Sequence, residues 1–388
     1  MITRTIKILF IATICAVILA PAVQFVFQYP RIDEQYLWLA GKTEKIELPV
    51  FSFKDWLEEK YQSTVTAYLE NTIGYRTFFI RGTNEWHYKV YRDVYSNMVV
   101  GKDDGLYWKE YVEAYIGANV IGYDSILHRC QRARQLQQKM DSMGKKCLFV
   151  MLPGKASNTI ETIPDHYIWR KKTNNYELLK KAFTETDITY IDLYSYFQQI
   201  KKTAKYPLFP KYGTHWSIYA GGLGADTIIR YLQQQWHYNF NQYYIDTTEL
   251  SNNPRFTDAD MYELLNIVSE IPQPELAYPH YVVDTTRGKM QTAKMLMIGD
   301  SYMFTLHQSG LMPAAAGENL GYIFYGKGVR DHNTNETGKK AAEIDLAAEL
   351  EKTDVVVFVF TEINQEEFDF DMCERFLKAL ENKKDGTN

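Results

Sequence analysis

Residues 295–302 read MLMIGDSY, a short apolar run that ends in Gly-Asp-Ser. An apolar run of this length bounded by turn residues predicts a buried strand, and the residues after it predict the start of a helix. In an open α/β sheet, ligands bind beyond the carboxyl ends of the strands. Ser301 at such a turn would expose its hydroxyl near main-chain N–H groups that can stabilise an oxyanion. A helix cap formed by Asp300 or Ser301 explains the same residues without chemistry.

Strand and helix patterns alternate on both sides of this stretch, from about residue 124 to the carboxyl end. Further strands are predicted at 147–152, 188–193, 321–325 and 355–360, and helices at 126–140, 175–184, 219–235 and 368–380. Nearly continuous apolar strands that alternate with helices indicate a parallel sheet covered on both faces. Residues 241–293 lack this alternation and contain several prolines. We interpret them as an insertion or cap near the carboxyl edge of the sheet.

The amino-terminal residues predict a membrane anchor. Residues 8–27 carry no charge, and Arg4 and Lys7 precede them. At about 1.5 Å per residue, this run crosses a hydrocarbon core of roughly 30 Å. Basic residues before the run predict a cytoplasmic amino end and an exported domain after Gln28. A cleaved signal peptide is the alternative, because Ala20-Pro21-Ala22 offers small residues, but the run exceeds the usual length of such a segment.

The residues that follow the anchor predict three further parts. Residues 29–48 are polar and mixed, which is typical of a stalk. Residues 49–388 form the predicted α/β domain, in which 49–123 is an aromatic-rich, helical amino-terminal part. This part ends in a hairpin, because two short apolar runs at 98–100 and 106–108 flank a turn of glycines and aspartates.

Composition excludes some functions. The formal net charge of -5 argues against nucleic-acid binding, which usually requires a basic face. The four cysteines form no Cys-x-x-C pair or zinc-ligand spacing, so we expect no metal and no cofactor. Cys130 and Cys147 could pair after export, but their positions on apolar faces favour buried free thiols.

A second motif supplies a candidate base for Ser301. Residues 212–217 read YGTHWS and precede the predicted glycine-rich helix at 219–235, which we expect to pack closely on the sheet. A serine hydroxyl is a weak nucleophile unless a base activates it, and histidine is the usual base. His215 alone could be a surface or capping residue. A Thr-His-Trp turn and a Gly-Asp-Ser turn at the edge of one predicted sheet favour a Ser-His site.

The motifs together resemble the SGNH hydrolase-like proteins of the alginate O-acetyltransferase type, the AlgX/AlgJ group, from about Phe53 to the last helix. The resemblance implies an SGNH-like (flavodoxin-like) parallel sheet and acetyl transfer onto an exported polysaccharide. The matching segments are Gly74-x-Arg76 with Arg81 and Asn84, Val100-Gly101-Lys102, Pro153-Gly154-Lys155, His215-Trp216, Gly299-Asp300-Ser301 and Thr361-Glu362-Ile363-Asn364.

The resemblance also implies roles for single residues. Ser301 would carry the acetyl group as an ester, and His215 would act first as base and then as acid. Lys155 and Asn364 would bind sugar or hold the oxyanion, although a surface lysine and a turn residue are the alternatives. Tyr302 and Trp216 lie beside the motifs and could contribute to the same subsite or simply pack.

One departure from the family pattern affects the expected triad. The family has an aspartate two residues before the histidine, and here that residue is Gly213. Without the carboxylate, His215 would be less well oriented and its charged form less stabilised. Asp192 or Glu362 could supply the acid from another loop, although Asp192 could equally cap a helix. The alternative is a weak Ser-His dyad or a binding protein.

Three functions follow from these expectations. The first is an O-acyltransferase in the inner membrane, with a single span, a periplasmic domain and a partner that is a multi-pass acyl carrier of the MBOAT type. The second is an extracytoplasmic carbohydrate esterase that uses the same residues with water as acceptor. The third is a non-catalytic protein that binds or assembles polysaccharide, which the glycine at position 213 favours.

Overall fold

The structure is a computed structural model that describes residues 2–28, 38–41, 45–94, 97–287 and 290–385. The chain divides into two compact units, one of residues 1–96 with 262–271 and the other of residues 97–261 with 272–388. Much of the predicted stalk, at 29–37 and 42–44, lies outside the described residues. The division into anchor, stalk and α/β domain stays a prediction.

The helices and strands of the described residues are numbered in chain order. The helices are α1 Ile2–Phe27, α2 Phe53–Leu57, α3 Lys60–Thr72, α4 Arg76–Trp86, α5 Lys109–Ile116, α6 Tyr123–Ser142, α7 Lys155–Asn158, α8 Asp165–Ile168, α9 Asn175–Glu185, α10 Leu193–Ile200, α11 Ile218–Trp236, α12 Asp260–Leu264, α13 Tyr302–Gln308, α14 Leu311–Ala316, α15 Leu346–Lys352 and α16 Met372–Asp385. The strands are β1 Met98–Val100, β2 Leu106–Trp108, β3 Lys146–Met151, β4 Tyr190–Asp192, β5 Tyr243–Ser251, β6 Leu276–Val283, β7 Met295–Gly299, β8 Leu320–Phe324, β9 Gly328–Arg330, β10 Glu336–Lys340 and β11 Val355–Phe360.

The main sheet has seven strands in the order β10-β9-β8-β7-β11-β3-β4. Strands β8, β7, β11, β3 and β4 pair in parallel, whereas β9 and β10 add an antiparallel edge. The predicted parallel sheet flanked by helices is therefore confirmed. Strand β7, which leads into Ser301, lies between β8 and β11, so the carboxyl ends of three strands meet beside Ser301.

Strand β11 shows why the sheet forms. Its six residues, VVVFVF, are all buried, and β-branched and aromatic side chains suit a pleated strand. Because successive side chains point to opposite faces, Val355, Val357 and Val359 join the core on one face, and Val356, Phe358 and Phe360 join the core on the other. Burying each such side chain contributes roughly 1.5–3 kcal/mol. The sheet is thus covered on both faces.

The three cysteines of the unit that contains the main sheet are packing residues. Cys130 and Cys147 lie in the core between the sheet and α6, together with Cys373 of α16. All three are buried free thiols. Burial raises the pKa of Cys130 to about 12, so its thiol stays protonated and unreactive. The expectation of buried thiols is confirmed.

Two strand pairs were not predicted from the sequence. Strands β9 and β10 lie at the edge of the sheet, and every residue of β10 is exposed, so no apolar alternation marks them. Strands β5 and β6 form an antiparallel pair within residues 241–293. Strand β5 is mostly exposed and carries polar residues, which hides its strand pattern. The segment interpreted as an insertion is therefore a hairpin with a connecting loop that includes residues 252–260.

Helix α1 is the membrane-span candidate. Residues 4–27 form 24 helical residues with a mean hydropathy of 2.5, and none of the window is buried within the protein. Among the described residues it is the one helix long and apolar enough to cross a membrane. Its length and composition agree with the predicted anchor.

Candidate active site

Ser301 lies two residues after the end of β7 and immediately before α13. Its side chain does not cap the helix. Asp300 accepts a hydrogen bond from the main-chain N–H of Tyr302 at 3.1 Å instead. The capping explanation thus applies to Asp300 and leaves the hydroxyl of Ser301 free for another partner.

That partner is His215. The distance between His215 Nε2 and Ser301 Oγ is 2.8 Å. His215 lies in the loop before α11, and α11 packs against α13, since a Cβ on Gly221 would lie 2.8 Å from the carbonyl oxygen of Thr305. Only a glycine permits this close approach. The glycine-rich helix shares the core on one face of the sheet, as predicted, and it also packs on the helix after Ser301. This second contact brings the two motifs together.

A carboxylate that the sequence did not reveal lies on the other side of the imidazole. Asp260 Oδ2 is 3.3 Å from His215 Nδ1, and Asp260 Oδ1 accepts a hydrogen bond from the main-chain N–H of Thr214 at 2.8 Å. The contact to Nδ1 is an ion-pair distance without hydrogen-bond alignment. Hydrogen bonds between catalytic residues are often long or poorly aligned in enzymes without a bound substrate. The order Ser301–His215–Asp260 is that of a serine triad.

This geometry corrects both acids proposed from the sequence. Asp192 caps α10 by accepting from the main-chain N–H of Ser195, and its other oxygen binds Lys180 at 2.8 Å. Glu362 is buried, and neither of its oxygens makes a well-aligned hydrogen bond. Burial raises the pKa of Glu362 to about 8, against the opposing effect of Ser157 and Tyr194. Neither carboxylate lies at His215.

Gly213 explains why the carboxylate next to His215 comes from Asp260 and not from residue 213. A Cβ at this position would lie 2.6 Å from the carbonyl oxygens of both Thr257 and Asp258. The absence of a side chain therefore lets the 257–260 segment pack against the histidine loop. The main-chain N–H of Met261 also donates to the Tyr212 carbonyl at 3.2 Å. The space that the family's aspartate would use is occupied by the segment that carries Asp260.

We expect Gly213→Asp to reduce turnover and stability, because the new side chain would collide with the main chain at 257–258. Overpacking of this kind costs about 1–3 kcal/mol. Gly213→Ala should show a milder form of the same defect, since its Cβ meets the same atoms. The free energy of unfolding and ester turnover would be measured for both. Gly82→Ala, at a helical glycine with no atom within 4 Å of an added Cβ, is the control. A higher turnover in Gly213→Asp would contradict this account.

A buried contact holds the segment that carries Asp260. The hydroxyl of Tyr278, on β6, donates to Asp258 Oδ2 at 2.7 Å. Burial raises the pKa of Asp258 to about 6, although the hydrogen bond from Tyr278 acts in the opposite direction. The β5–β6 hairpin therefore fixes the position of Asp258, two residues before Asp260.

Lys155 supports the histidine loop from the other side. Its Nζ donates to the carbonyl oxygens of Lys211 at 2.7 Å and Gly213 at 2.9 Å, and it lies over the ring of Tyr107. The side chain is buried, and burial lowers its pKa to about 7. Lys155, for which the sequence predicted contact with sugar or an oxyanion, therefore gives two of its N–H groups to the main chain that leads to His215, and its side chain is buried.

Tyr302 and Trp216 are packing residues and do not form a substrate subsite. Both are fully buried. The hydroxyl of Tyr302 donates to the Thr214 carbonyl at 2.7 Å, and its ring lies 4.8 Å from the imidazole of His215. Trp216 packs on Phe197 and Tyr302. Their role is to fix the histidine loop against α13.

Asp300 and Asn364 connect the turn of Ser301 to the loop after β11. Asp300 Oδ2 accepts from Asn364 Nδ2 at 2.8 Å and from the main chain and hydroxyl of Thr361. Asp300 is buried, and burial raises its pKa while these hydrogen bonds oppose the change. Asn364 thus directs its amide group to Asp300, the residue before Ser301.

Tyr325 is a site residue that sequence reasoning missed. It follows β8, and its main-chain N–H donates to the Gly299 carbonyl at 2.8 Å. Burial raises the pKa of its hydroxyl, and interactions of that hydroxyl with Ser301 and Asn364 lower it. Tyr325 stands at the end of a predicted strand that neighbours the strand before Ser301. This position in the sequence could have identified Tyr325 as a site residue.

Buried Glu362 makes stability depend on pH. The folded protein keeps its proton up to about pH 8, whereas an unfolded chain loses it near the ordinary value of 4.5. The free energy of unfolding therefore falls as pH rises from about 4.5 to 8. We expect Glu362→Gln to make this fall smaller in denaturation curves from pH 5 to 9, while the contributions of Asp258 and Lys155 stay. The exposed residue Glu367 is the control, and Glu367→Gln should leave the curve unchanged. An unchanged pH dependence in Glu362→Gln would disprove the role of this carboxyl.

A family model and several solved structures match parts of this chain. Residues 98–304 match the family model of an SGNH hydrolase-like domain, acetyltransferase AlgX. Similar solved structures include the O-acetyltransferase domain of Pseudomonas putida AlgJ, with 15% identity, a TM-score of 0.47 and coverage of 70% of this chain and 93% of that chain. Pseudomonas aeruginosa AlgX has 12% identity and a TM-score of 0.46, covering 69% and 65%. Bacillus cereus PatB1 with a sulfonyl adduct has 13% identity and a TM-score of 0.42, covering 63% and 92%.

A search of curated protein sequences finds no match. The family match spans more than half of the chain and contains both the histidine turn and the Gly-Asp-Ser turn. The fold is accordingly the SGNH-like α/β fold. On this evidence the chain belongs to the SGNH hydrolase-like acetyltransferase family of AlgX.

Proposed function

We propose that the chain is an O-acetyltransferase that moves an acetyl group onto an exported polysaccharide through an ester on Ser301. The observation that carries the proposal is the 2.8 Å contact between Ser301 Oγ and His215 Nε2, with Asp260 on the far side of the ring. A hydroxyl held by a histidine is an activated nucleophile. Membership of an acetyltransferase family supports acetyl as the group that is transferred.

The proposed reaction has two steps. His215 Nε2 takes the proton of Ser301 as Oγ attacks the acetyl carbonyl of the donor, and it returns that proton to the leaving group, which departs as acetyl-Ser301 forms. A sugar hydroxyl then gives its proton to His215 and attacks the acetyl-serine. Collapse of this second intermediate releases the acetylated sugar, and His215 returns the proton to Ser301.

Asp260 serves the histidine in this proposal. Its carboxylate at Nδ1 keeps the proton on that nitrogen, so Nε2 is free to accept, and it stabilises the charged ring. The binding-protein alternative depended on a missing carboxylate. Asp260 supplies one from a different part of the chain, which supports catalysis over binding alone.

The oxyanion of each intermediate requires donors on the side of Ser301. We propose the main-chain N–H of Ser301 and the hydroxyl of Tyr325, with Asn364 holding this arrangement through Asp300. The support is that Tyr325 interacts with both Ser301 and Asn364. Preorganised donors of this kind stabilise developing charge in acyl transfer.

The proposed location is the inner membrane, with α1 as a single span and the catalytic unit in the periplasm. Arg4 and Lys7 precede the apolar run, which favours a cytoplasmic amino end. In this arrangement the acetyl donor has to be delivered across the membrane. A multi-pass carrier of the MBOAT type is the proposed partner, and the polysaccharide is the acceptor.

Incubation of the full-length protein with p-nitrophenyl acetate, with and without oligosaccharides, tests this function. We expect acetylated oligosaccharide, detected by mass spectrometry, and little extra free acetate when the acceptor is present. Ser301→Ala is the control and should give neither product above background. Both uronate and neutral oligosaccharides would be offered as acceptors. If acetate alone is released with every one of them, the protein is an esterase and not a transferase. No reaction in either case would contradict both enzymatic functions.

A further inference from the structure

Helices α2, α3 and α4 have no apolar core of their own. Within the described residues 45–94, no hydrophobic side chain is buried, and Thr77 is the one buried residue of α4. Most helical stability in proteins comes from packing of an apolar face, because short isolated helices are marginal in water. Among the described residues of the same unit, the segment 262–271 buries Leu265 and Ile267, and no other hydrophobic side chain is buried. These two side chains are a small core for three helices, so the helices need a further apolar surface.

The same residues expose many large apolar side chains. Between residues 38 and 91 the exposed ones are Trp38, Leu48, Val50, Phe51, Phe53, Trp56, Leu57, Leu69, Ile73, Phe78, Phe79, Trp86, Val90 and Tyr91. The much longer second unit exposes Val120, Trp169, Tyr244, Ile245, Leu250 and Phe256 among its described residues. Soluble proteins rarely expose apolar residues in such concentration unless a partner or a membrane covers them.

The apolar helices adjoin the membrane-span candidate. A Cβ on Gly74, between α3 and α4, would meet the carbonyl oxygen of Pro21 at 2.5 Å and the side chain of Gln24 at 2.4 Å, so the two segments are in contact. The rings of Phe25 and Tyr68 lie 6.4 Å apart, edge to face. Helix α3 and the turn between α3 and α4 thus contact the last two turns of α1.

Because of this contact, the depth of α3 and α4 in the bilayer is that of the last turns of α1. The 24 residues of the span are about 36 Å long at 1.5 Å per residue, and the hydrocarbon core is about 30 Å thick. The last residues of α1 therefore lie at the boundary between acyl chains and headgroups. Trp and Tyr concentrate at this level in membrane proteins, and Trp56, Trp86 and Tyr91 are exposed here.

The charges of these helices favour an apolar rather than an electrostatic attachment. Residues 54–92 carry six basic and five acidic residues, some of them paired as in Lys60–Glu58 and Lys89–Glu85, so the segment has too little excess positive charge to select anionic lipid. Phe79 and Trp86 lie seven residues apart in α4, on one face of the helix, with 54% and 58% of their surfaces exposed. The surface that suits these exposed apolar side chains is the boundary between the acyl chains and the headgroups of the bilayer.

We propose that α2, α3 and α4 form an interfacial collar, which lies in the bilayer surface beside the end of α1. The proposal rests on α1 being a retained anchor, and it does not depend on the chemistry at Ser301. Amphipathic helices bind in this way with their apolar faces at the headgroup–acyl boundary. The collar would hold this unit at the membrane surface, where a membrane-borne acyl donor has to arrive.

Photo-crosslinking of the full-length protein in cells tests the collar. The photoreactive amino acid p-benzoylphenylalanine would replace Phe79 or Trp86, Phe10 in α1 as the membrane reference, or Trp169, which is 82% exposed in the other unit. Because an aromatic residue replaces an aromatic residue, folding should be retained. After irradiation, mass spectrometry of the labelled peptides identifies lipid or protein adducts.

We expect lipid adducts at positions 10, 79 and 86 and none at 169. Lipid at position 10 without lipid at 79 and 86 would overturn the collar and leave the anchor in place. Protein adducts at 79 and 86 would overturn it in favour of a protein partner. No lipid adduct at position 10 would overturn the retained anchor and the collar with it, while the acetyl-transfer assay would still test Ser301 separately.

Discussion

Ser301→Ala is expected to abolish acetyl transfer, because the attacking oxygen is lost. His215→Ala should cause a comparable loss, since the hydroxyl then has no base at the 2.8 Å distance. In a serine protease, removing either member of such a unit lowers kcat by about 10⁶, and removing both adds little. The double variant should therefore be no worse than either single variant. Turnover of an activated acetyl ester measures all three.

Two controls separate chemistry from folding. Ser142→Ala changes an exposed serine at the end of α6 and should keep full turnover. The thermal midpoint of Ser301→Ala should stay close to that of the unchanged protein, because the hydroxyl contributes no packing to either core. If the effects of Ser301→Ala and His215→Ala multiply in the double variant, the two residues do not act as a unit.

Asp260→Asn is expected to lower turnover by about 10²–10⁴, up to the loss seen when the triad carboxylate of a serine protease becomes an amide. The amide can place a donor against His215 Nδ1 and favour the wrong tautomer. Its carbonyl can still accept from the main-chain N–H of Thr214, so the loop should keep its position. The kcat and its pH profile would be measured, because a purely structural role would not move the profile.

Asp192→Asn is the matched control for Asp260→Asn. Asp192 binds Lys180 and caps α10, so its replacement should affect stability and leave turnover within a few-fold of the unchanged protein. A large loss of turnover in Asp192→Asn, together with normal turnover in Asp260→Asn, would show that the acid has been misassigned. Equal pH profiles for the unchanged protein and Asp260→Asn would also contradict the assignment.

The fold and two of the site residues could be predicted because their signals are local. Strand β11 is a continuous apolar run, and its predicted bounds 355–360 agree with the structure. The turn of Ser301 follows a strong strand pattern, and the turn of His215 precedes a strong helix pattern, so their meeting at one edge of the sheet was predictable. The geometry of these two residues follows directly from the α11–α13 contact.

Asp260 could not be predicted because its position depends on distant packing. No pattern marks residues 252–260, and β5 is too exposed to show an alternation. The segment reaches His215 because Gly213 leaves room and Tyr278 holds Asp258. For Lys155, Tyr302 and Trp216 the sequence left a role in the site and a plain structural role open, since a motif next to a site does not show which way a side chain points.

The site of acetylation tests the central claim most directly. The full-length protein would be mixed briefly with an activated acetyl ester, quenched in acid and digested, and the peptides analysed by tandem mass spectrometry. We expect one acetyl group on Ser301 in the unchanged protein, slower labelling in Asp260→Asn and none on this peptide in His215→Ala. Acetyl groups on other residues with Ser301 unlabelled, or equal labelling of Ser301 in all three proteins, would contradict a Ser301–His215–Asp260 acyl-transfer site.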